Sequence, residues 1–295
     1  MQKDEIITYH PDEKTYDQLV YQAVNYAVIS SPITVNRMNI DDVSERIQNI
    51  AKGKLAEMLF VEYCKESGVD INTEECTTPF YQVDRRDFLF RDFECDIKNN
   101  FFWNTGTQSS VEELIIKFPA LVPNRWEGDQ WSKRKESYFG KRVMFIFTFM
   151  QAGYLKDGDR VDGILSIDLS KSQKEYLIQL TKRYQGKPQD KEPYTPEEFW
   201  KEFGQVKFVI TKRSPLYITA YATSEHFHLF RDTDGRHVSP HYQDSPFQNW
   251  YEQTPRGAKF LDGAIFTRIK NATCPIVLLP PFKELVDSPN RRRHF

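Results

Sequence analysis

The chain has 295 residues, 39% of them hydrophobic and 14% aromatic, and a formal net charge of −2. That apolar content excludes a disordered polypeptide and suffices for a substantial core, while a near-neutral total neither supports nor excludes nucleic acid, because basic surfaces can hide within it. Cys64, Cys76, Cys95 and Cys274 form no C-x-x-C pair, the amino terminus lacks an apolar leader, and no stretch is apolar enough to span a bilayer, so a soluble cytoplasmic protein without a disulfide framework is expected.

Residues 1–40 read as an N-terminal helical extension, with a Tyr-rich helix from Tyr16 to Ile29 that Ser31-Pro32 interrupts. Asp42-Val43-Ser44-Glu45 resembles a capping box, and the following helix runs through Ile47, Ile50, Leu55, Met58 and Leu59 to about Glu66, where Ser67-Gly68 ends it. Helical spacing puts Glu57 on one stripe with Ile50 and Val61, at the border of the apolar face. A carboxylate there needs a partner: water, Lys54, a nearby arginine, or a functional site. Gly53, one turn earlier, costs the helix about 1 kcal/mol relative to alanine, which predicts close approach by a neighbouring element.

From Arg86 to Asn99, apolar residues recur at every second position on either side of Arg91-Asp92, which predicts two short strands and a tight turn. In that register Phe90 faces Phe93, Phe88 faces Cys95, Leu89 meets Glu94, and Asp87 meets Asp96. Opposed carboxylates repel unless a cation sits between them, and alternation adds Lys98 to the face of Asp96. A divalent ion such as Mg²⁺ would resolve the conflict. Arg-Asp is not a preferred two-residue turn, so a longer loop is the alternative, and an ordinary edge hairpin with one charged face satisfies the same pattern.

Ser110-Val111-Glu112-Glu113 opens a short helix that Pro119 stops. The stretch 125–142 mixes Trp126 and Trp131 with cations that include Lys133, Arg134 and Lys135, a composition that suits phosphate contact or a solvated surface equally. Val143 to Met150 is a nearly unbroken apolar strand, expected at the centre of a sheet covered on both faces. Val161 to Leu169 reads as one further strand, and Ser172-Gln173-Lys174-Glu175 caps a helix near Lys171 and Lys174 that ends before Gly186. The polar run 185–192 is the candidate boundary. Beyond it Thr195-Pro196 starts a helix, strands are predicted at Val206 to Thr211, Leu216 to Ala222, Phe227 to Phe230 and Ala264 to Ile269, and a turn at Asp232 to Gly235. The Arg291-Arg292-Arg293 tail carries no assigned role.

A helix with an inward glutamate, an aspartate opening a strand, and Asp-x-Lys on the paired strand together resemble the PD-(D/E)XK nuclease superfamily, closely over residues 43–100. Arg86 stands where the family pattern has proline, and Asp96 where glutamate is commoner. The resemblance implies an α/β fold with a restriction-endonuclease-like core, a central mixed β-sheet flanked by helices, over residues 41–187. Residues 188–295 then form a strand-rich C-terminal region that serves recognition or elaborates the sheet. It makes Asp87 and Asp96 the metal-binding carboxylates, Glu57 the supporting acid, Lys98 the catalytic lysine and the Ile97 carbonyl a further ligand, with Asp84 competing for the place of Asp87. The implied activity is Mg²⁺- or Mn²⁺-dependent hydrolysis of DNA, double-stranded and of restriction type, by a chain that can work as a homodimer. Lys133, Arg134, Lys135, Lys171 and Lys174 are the expected nucleic-acid contacts.

Two other functions compete. The same fold can bind nucleic acid without catalysis, its carboxylates being structural. His226, His228, His237 and His241 cluster between positions 226 and 241, and His226-x-His228 on a strand would offer half a zinc site, although surface histidines around a turn explain the pattern as well.

Overall fold

The computed structural model describes residues 1–36, 39–104, 110–156, 159–232, 251–254 and 257–287. The N-terminal segment forms β1 (Ile7–Tyr9) and α1 (Glu13–Ser30), followed by α2 (Val43–Glu66). Asp42 caps α2 by accepting from the Glu45 N–H at 2.7 Å, and Gly68 follows its end at φ +66°, so both predicted boundaries of the helix are present.

Strands β2 (Phe88–Phe90) and β3 (Phe93–Asn104) make the expected hairpin in the expected register, Phe88 with Cys95, Leu89 with Glu94 and Phe90 with Phe93. The turn has two residues despite its chemistry. Arg91 takes φ +54°, a costly conformation for a side chain with a Cβ, but its guanidinium donates to the Leu285 carbonyl (2.8 Å) and its own carbonyl accepts from Lys141 Nζ (2.7 Å). The ladder stops at Phe88, so Asp87 is not a backbone-paired partner of Asp96. Its N–H instead bonds the Cys95 carbonyl at 2.9 Å.

After α3 (Val111–Ile115) and β4 (Pro119–Pro123), the chain crosses back into the sheet as β5 (Arg142–Lys156), parallel to β3. Strand β5 carries Met144 and Ile146 on one face and Phe145, Phe147 and Phe149 on the other, each set in its own apolar core, which explains why the run is apolar throughout. The single strand expected from Val161 to Leu169 is two: β6 (Asp159–Asp162), paired with β5, and β7 (Leu165–Asp168), paired with β8 (Lys207–Ile210). Gly163 separates them, and Gly153 is required opposite, because a Cβ there would collide with the Val161 carbonyl. Helix α4 (Lys171–Tyr184) is capped by Ser170 in a box with Gln173, two residues before the predicted cap, and α5 (Pro196–Phe203) by Thr195 with Glu198.

Strand β9 (Leu216–Ala222) enters the central sheet between β1 and β5, giving the order β1-β9-β5-β3-β2 with β6 beside β5. The architecture is therefore α/β with a mixed central sheet. The polar run at 185–192 does not divide that sheet, since β1 and β9 come from either side of the segment 41–187. One face packs against α1, α2, α4 and α5. The other meets β4 and β14 (Asn271–Pro275), paired with the two-residue β10 (Arg231–Asp232), and the small sheet of β11 (Tyr251–Thr254), β12 (Gly257–Phe260) and β13 (Ile265–Thr267). Helix α6 (Lys283–Asp287) closes the described chain. Residues Phe227–Leu229 are a 3-10 helix and not the expected strand, the His226 N–H bonding back to the Thr223 carbonyl at 2.9 Å. The predicted turn lies beyond Asp232, and it and the arginine tail fall outside the described residues.

Candidate active site

Strand alternation decides which side chains converge. Cys95 and Ile97 face the helical core, so Asp96 and Lys98 face the opposite side of the sheet, where the Lys98 ammonium lies 5.5 Å from the Phe145 ring centroid. Lys98 Nζ donates to Asp96 Oδ1 in a short, buried ion pair. Asp87 sits in line with the sheet, just beyond the end of β2, and its Oδ2 accepts from the Ile97 N–H at 2.5 Å. A side chain thus replaces the backbone partner that β2 is too short to supply. Because the N–H and C=O of one strand residue point to the same edge, the Ile97 carbonyl is presented to that edge as well.

Glu57 arrives from α2 on the other face, half-buried as its stripe predicts, with Oε2 held by Lys54 Nζ at 2.7 Å. Glu57, Asp87, Asp96, Ile97 and Lys98 all line one cavity of about 500 Å³. Burial raises the Glu57 carboxyl above its ordinary range against the pull of Lys54, with Asp84 and Asp96 adding to the rise. Asp87 is pushed up further, first by burial and then by the charges of Glu57 and Asp96, while Lys98 and the Ile97 N–H oppose. Three acids therefore share a space that disfavours their combined charge.

Other residues in this cavity are less visible in the sequence. Tyr26, from the N-terminal extension, bonds Asp84 Oδ2 at 3.4 Å and lies under the Lys54 ammonium, 4.9 Å from its ring centroid. Asp84, the competitor of Asp87, is exposed and also takes the Thr78 hydroxyl. Gly53 fails its prediction: a Cβ there would meet nothing within 4 Å, and the residue borders open space in place of a packed neighbour. Glu94, close by, is no more visible in the sequence. Its fully buried carboxylate gathers the Ser137 hydroxyl and the N–H groups of Tyr138, Phe139 and Lys141, with Arg86 Nε at 3.5 Å. The available signal was weak: Glu94 shares the charged face of Asp96 and Lys98 but stands opposite the apolar Leu89.

Of the expected basic contacts, Lys133 lines the cavity. Arg134 stacks on Trp131 at 4.3 Å and donates to its carbonyl at 2.8 Å. Lys135 is exposed, Lys171 and Lys174 lie on α4, and none of these three lines the cavity. His226 is a 3-10 helix cap whose Nδ1 accepts from the Thr223 N–H at 3.2 Å, and burial lowers its pKa; His237 and His241 lie outside the described residues.

Among the described residues no three His, Cys, Asp or Glu side chains converge closely enough to hold a metal ion by themselves. Mg²⁺ asks for less, since one or two carboxylates suffice when water and substrate oxygens complete its shell. Asp87, Asp96 and the Ile97 carbonyl offer only hard oxygen donors, which suit Mg²⁺ or Mn²⁺, and the clash of buried negative charge is the condition a cation relieves. Among the described residues no helix is long and apolar enough to cross a membrane. Comparison with protein-family models, curated proteins and solved structures found no match to this chain.

Proposed function

We propose that the protein is a Mg²⁺- or Mn²⁺-dependent endonuclease of the PD-(D/E)XK type, hydrolysing DNA phosphodiester bonds in the manner of a restriction enzyme. The observation that carries this assignment is the bond from the Ile97 N–H to Asp87, which sets that carboxylate beside the Asp96 and Lys98 pair in a cavity that Glu57 also lines. Asp87, Asp96 and the Ile97 carbonyl are the groups to hold the ion, with Glu57 in support. Once bound, the ion supplies water activation and neutralises charge at the phosphoryl group.

The chain's own residues do the rest. Asp96 orients Lys98 by accepting from its Nζ, so the ammonium is already fixed where an anionic substrate enters. With Asp96 turned to its ligand role, Lys98 donates to a phosphate oxygen or to the attacking water. Lys54 opposes the burial that raises the Glu57 pKa, and is itself held above its usual value by that carboxylate against desolvation. Lys133 and Arg85 line the same cavity and supply positive charge for the strand, while Arg86 beside them is committed to Glu94.

A second reading, a nucleic-acid-binding protein without catalysis, is favoured by the two ion pairs that already neutralise Glu57 and Asp96. Incubating supercoiled plasmid and single-stranded DNA with purified protein in Mg²⁺ or Mn²⁺, beside EDTA and Asp96→Ala controls, separates the two. Metal-dependent cutting lost in Asp96→Ala is expected. Retarded but uncut DNA points to binding alone, and equal cutting by the variant removes the site.

A further inference from the structure

A second cavity, of about 1070 Å³, adjoins the first between α2, β3 and the β12–β13 sheet, and the two share Gly53, Glu57, Ile97 and Lys98. Its lining is chemically different. Two of its cations are already neutralised, Lys52 by Asp162 at 2.5 Å and Arg268 by Glu45 at 3.0 Å. Beside the exposed Lys259 and the aliphatic side chains of Leu121, Leu155 and Ile265, the lining is aromatic and amide: Phe101 and Phe266 with Asn99, Asn100 and Gln130. The Nδ2 atoms of Asn99 and Asn100 are buried without a hydrogen-bond partner, although the Asn99 oxygen accepts from the Thr148 hydroxyl at 3.0 Å.

The strand edge adds to this. The Ile97 N–H points away from β5 to Asp87, so alternation turns the backbone groups of Asn99 and Phe101 to the same edge, and the next in the series, Trp103, donates to the Ala264 carbonyl at 2.9 Å. Between those two bonds, no backbone group among the described residues pairs with that edge at Asn99 or Phe101. Buried donors without acceptors are costly, and they are satisfied when a ligand brings complementary polar atoms.

The fitting ligand is flat, apolar on its faces and polar at its rim. A nucleobase has that character: its faces stack on aromatic rings and its edge takes donors and acceptors. The volume is that of a small-ligand site at or just above the usual upper limit of about 1,000 Å³, and does not suit a duplex, whose major groove alone is about 12 Å wide. We propose that this cavity holds the bases of an unpaired stretch of the substrate strand, adjacent to the phosphate addressed by Asp87, Asp96 and Lys98. The proposal rests on the nuclease assignment and departs from its restriction-type duplex substrate in favour of an unpaired strand. Gly53 is the gap through which the strand passes, since its missing side chain leaves the junction of the cavities open.

Fluorescence anisotropy on the full chain in EDTA tests it, with three labelled probes: a single-stranded deoxyoligonucleotide, the same strand with abasic sites, and the paired duplex. The base-bearing single strand is expected to bind roughly tenfold tighter than either other probe, and Phe266→Ala and Asn100→Ala to lose roughly that factor for it and nothing for the abasic strand. Unchanged thermal melting of both variants guards against misfolding. Equal binding of base-bearing and abasic strands, wild-type affinity in both variants, or no binding of any probe overturns the proposal. If bases prove irrelevant while plasmid cutting still requires Asp96, only the base site falls; if base-dependent binding holds and nothing is cut, the base site stands and the hydrolase assignment falls.

Discussion

Replacing Glu94 by glutamine removes a charge from the most enclosed carboxylate near the site while keeping its shape. Oε1 accepts from the Ser137 hydroxyl at 2.6 Å and from the N–H groups of Phe139, Tyr138 and Lys141 at 2.7, 3.0 and 3.2 Å, and Oε2 from Tyr138 at 2.9 Å. A hydrogen bond to a charged acceptor is worth about 1.5–3 kcal/mol and a neutral one about 0.5–1.5, so discharging the bonds from these four donors costs about 4 kcal/mol. The range for breaking a buried ion pair, about 3–5 kcal/mol, agrees, because Arg86 loses its counter-charge too. In a chain of this size the melting temperature should fall by roughly 8–16 °C. Burial opposes ionisation of Glu94, yet the Ser137 hydroxyl and the three N–H donors hold its pKa below the ordinary 4.5. Its contribution is therefore complete above about pH 4.5 and lost as pH falls through the lowered value. Urea midpoints by circular dichroism at neutral and acid pH measure both effects. A cost under about 1 kcal/mol at pH 7, or a deficit in Glu94→Gln that stays constant into acid, would refute the account.

Four further outcomes are expected. Lys98→Ala should lower the cleavage rate by about 10²–10³, read from single-turnover plasmid cutting, since one preorganised electrostatic donor is lost. Lys98→Ala or Asp96→Ala alone should each destabilise the fold by about 3–5 kcal/mol, and the double variant by less than their sum, because each single change strands a buried charge; additive denaturation midpoints would contradict this. Asp87→Asn should stabilise the metal-free protein at neutral pH while abolishing cleavage: the raised Asp87 pKa means native stability declines as pH climbs through that value, and the advantage of the variant should close in acid, as melting curves across pH would register. Gly53→Ala should add up to about 1 kcal/mol by helix propensity, since nothing obstructs the new methyl; a loss of stability would mean the open space is misjudged.

How far the sequence reached can be followed residue by residue. Period-two alternation alone set the hairpin register, and with it the shared face of Asp96 and Lys98, because a one-residue slip would have turned Phe88 and Phe90 out of the core. Helical spacing placed Glu57 at the border of α2, and local chemistry marked the caps at Asp42, Ser110 and Thr195. These are short-range patterns, and burial enforces them. The sequence also held the recurring apolar run of β5, which required cover on both sides.

Long-range placement was decided only by the tertiary structure. Nothing local says that β9 enters the sheet between β1 and β5, or that Tyr26 of the extension lies beside Lys54 and Asp84. Phe227–Leu229 reads as a strand by composition but closes into a 3-10 turn, which brings both Phe227 and Phe230 against the distant Trp131. Asp87 shows the boundary most clearly: alternation predicted its position opposite Asp96, yet the ladder ends one residue earlier and its carboxylate takes the place of the missing strand. Side-chain period is a property of neighbouring residues, whereas the end of a ladder, the filling of an edge and the shape of a cavity depend on which distant segments reach the same place.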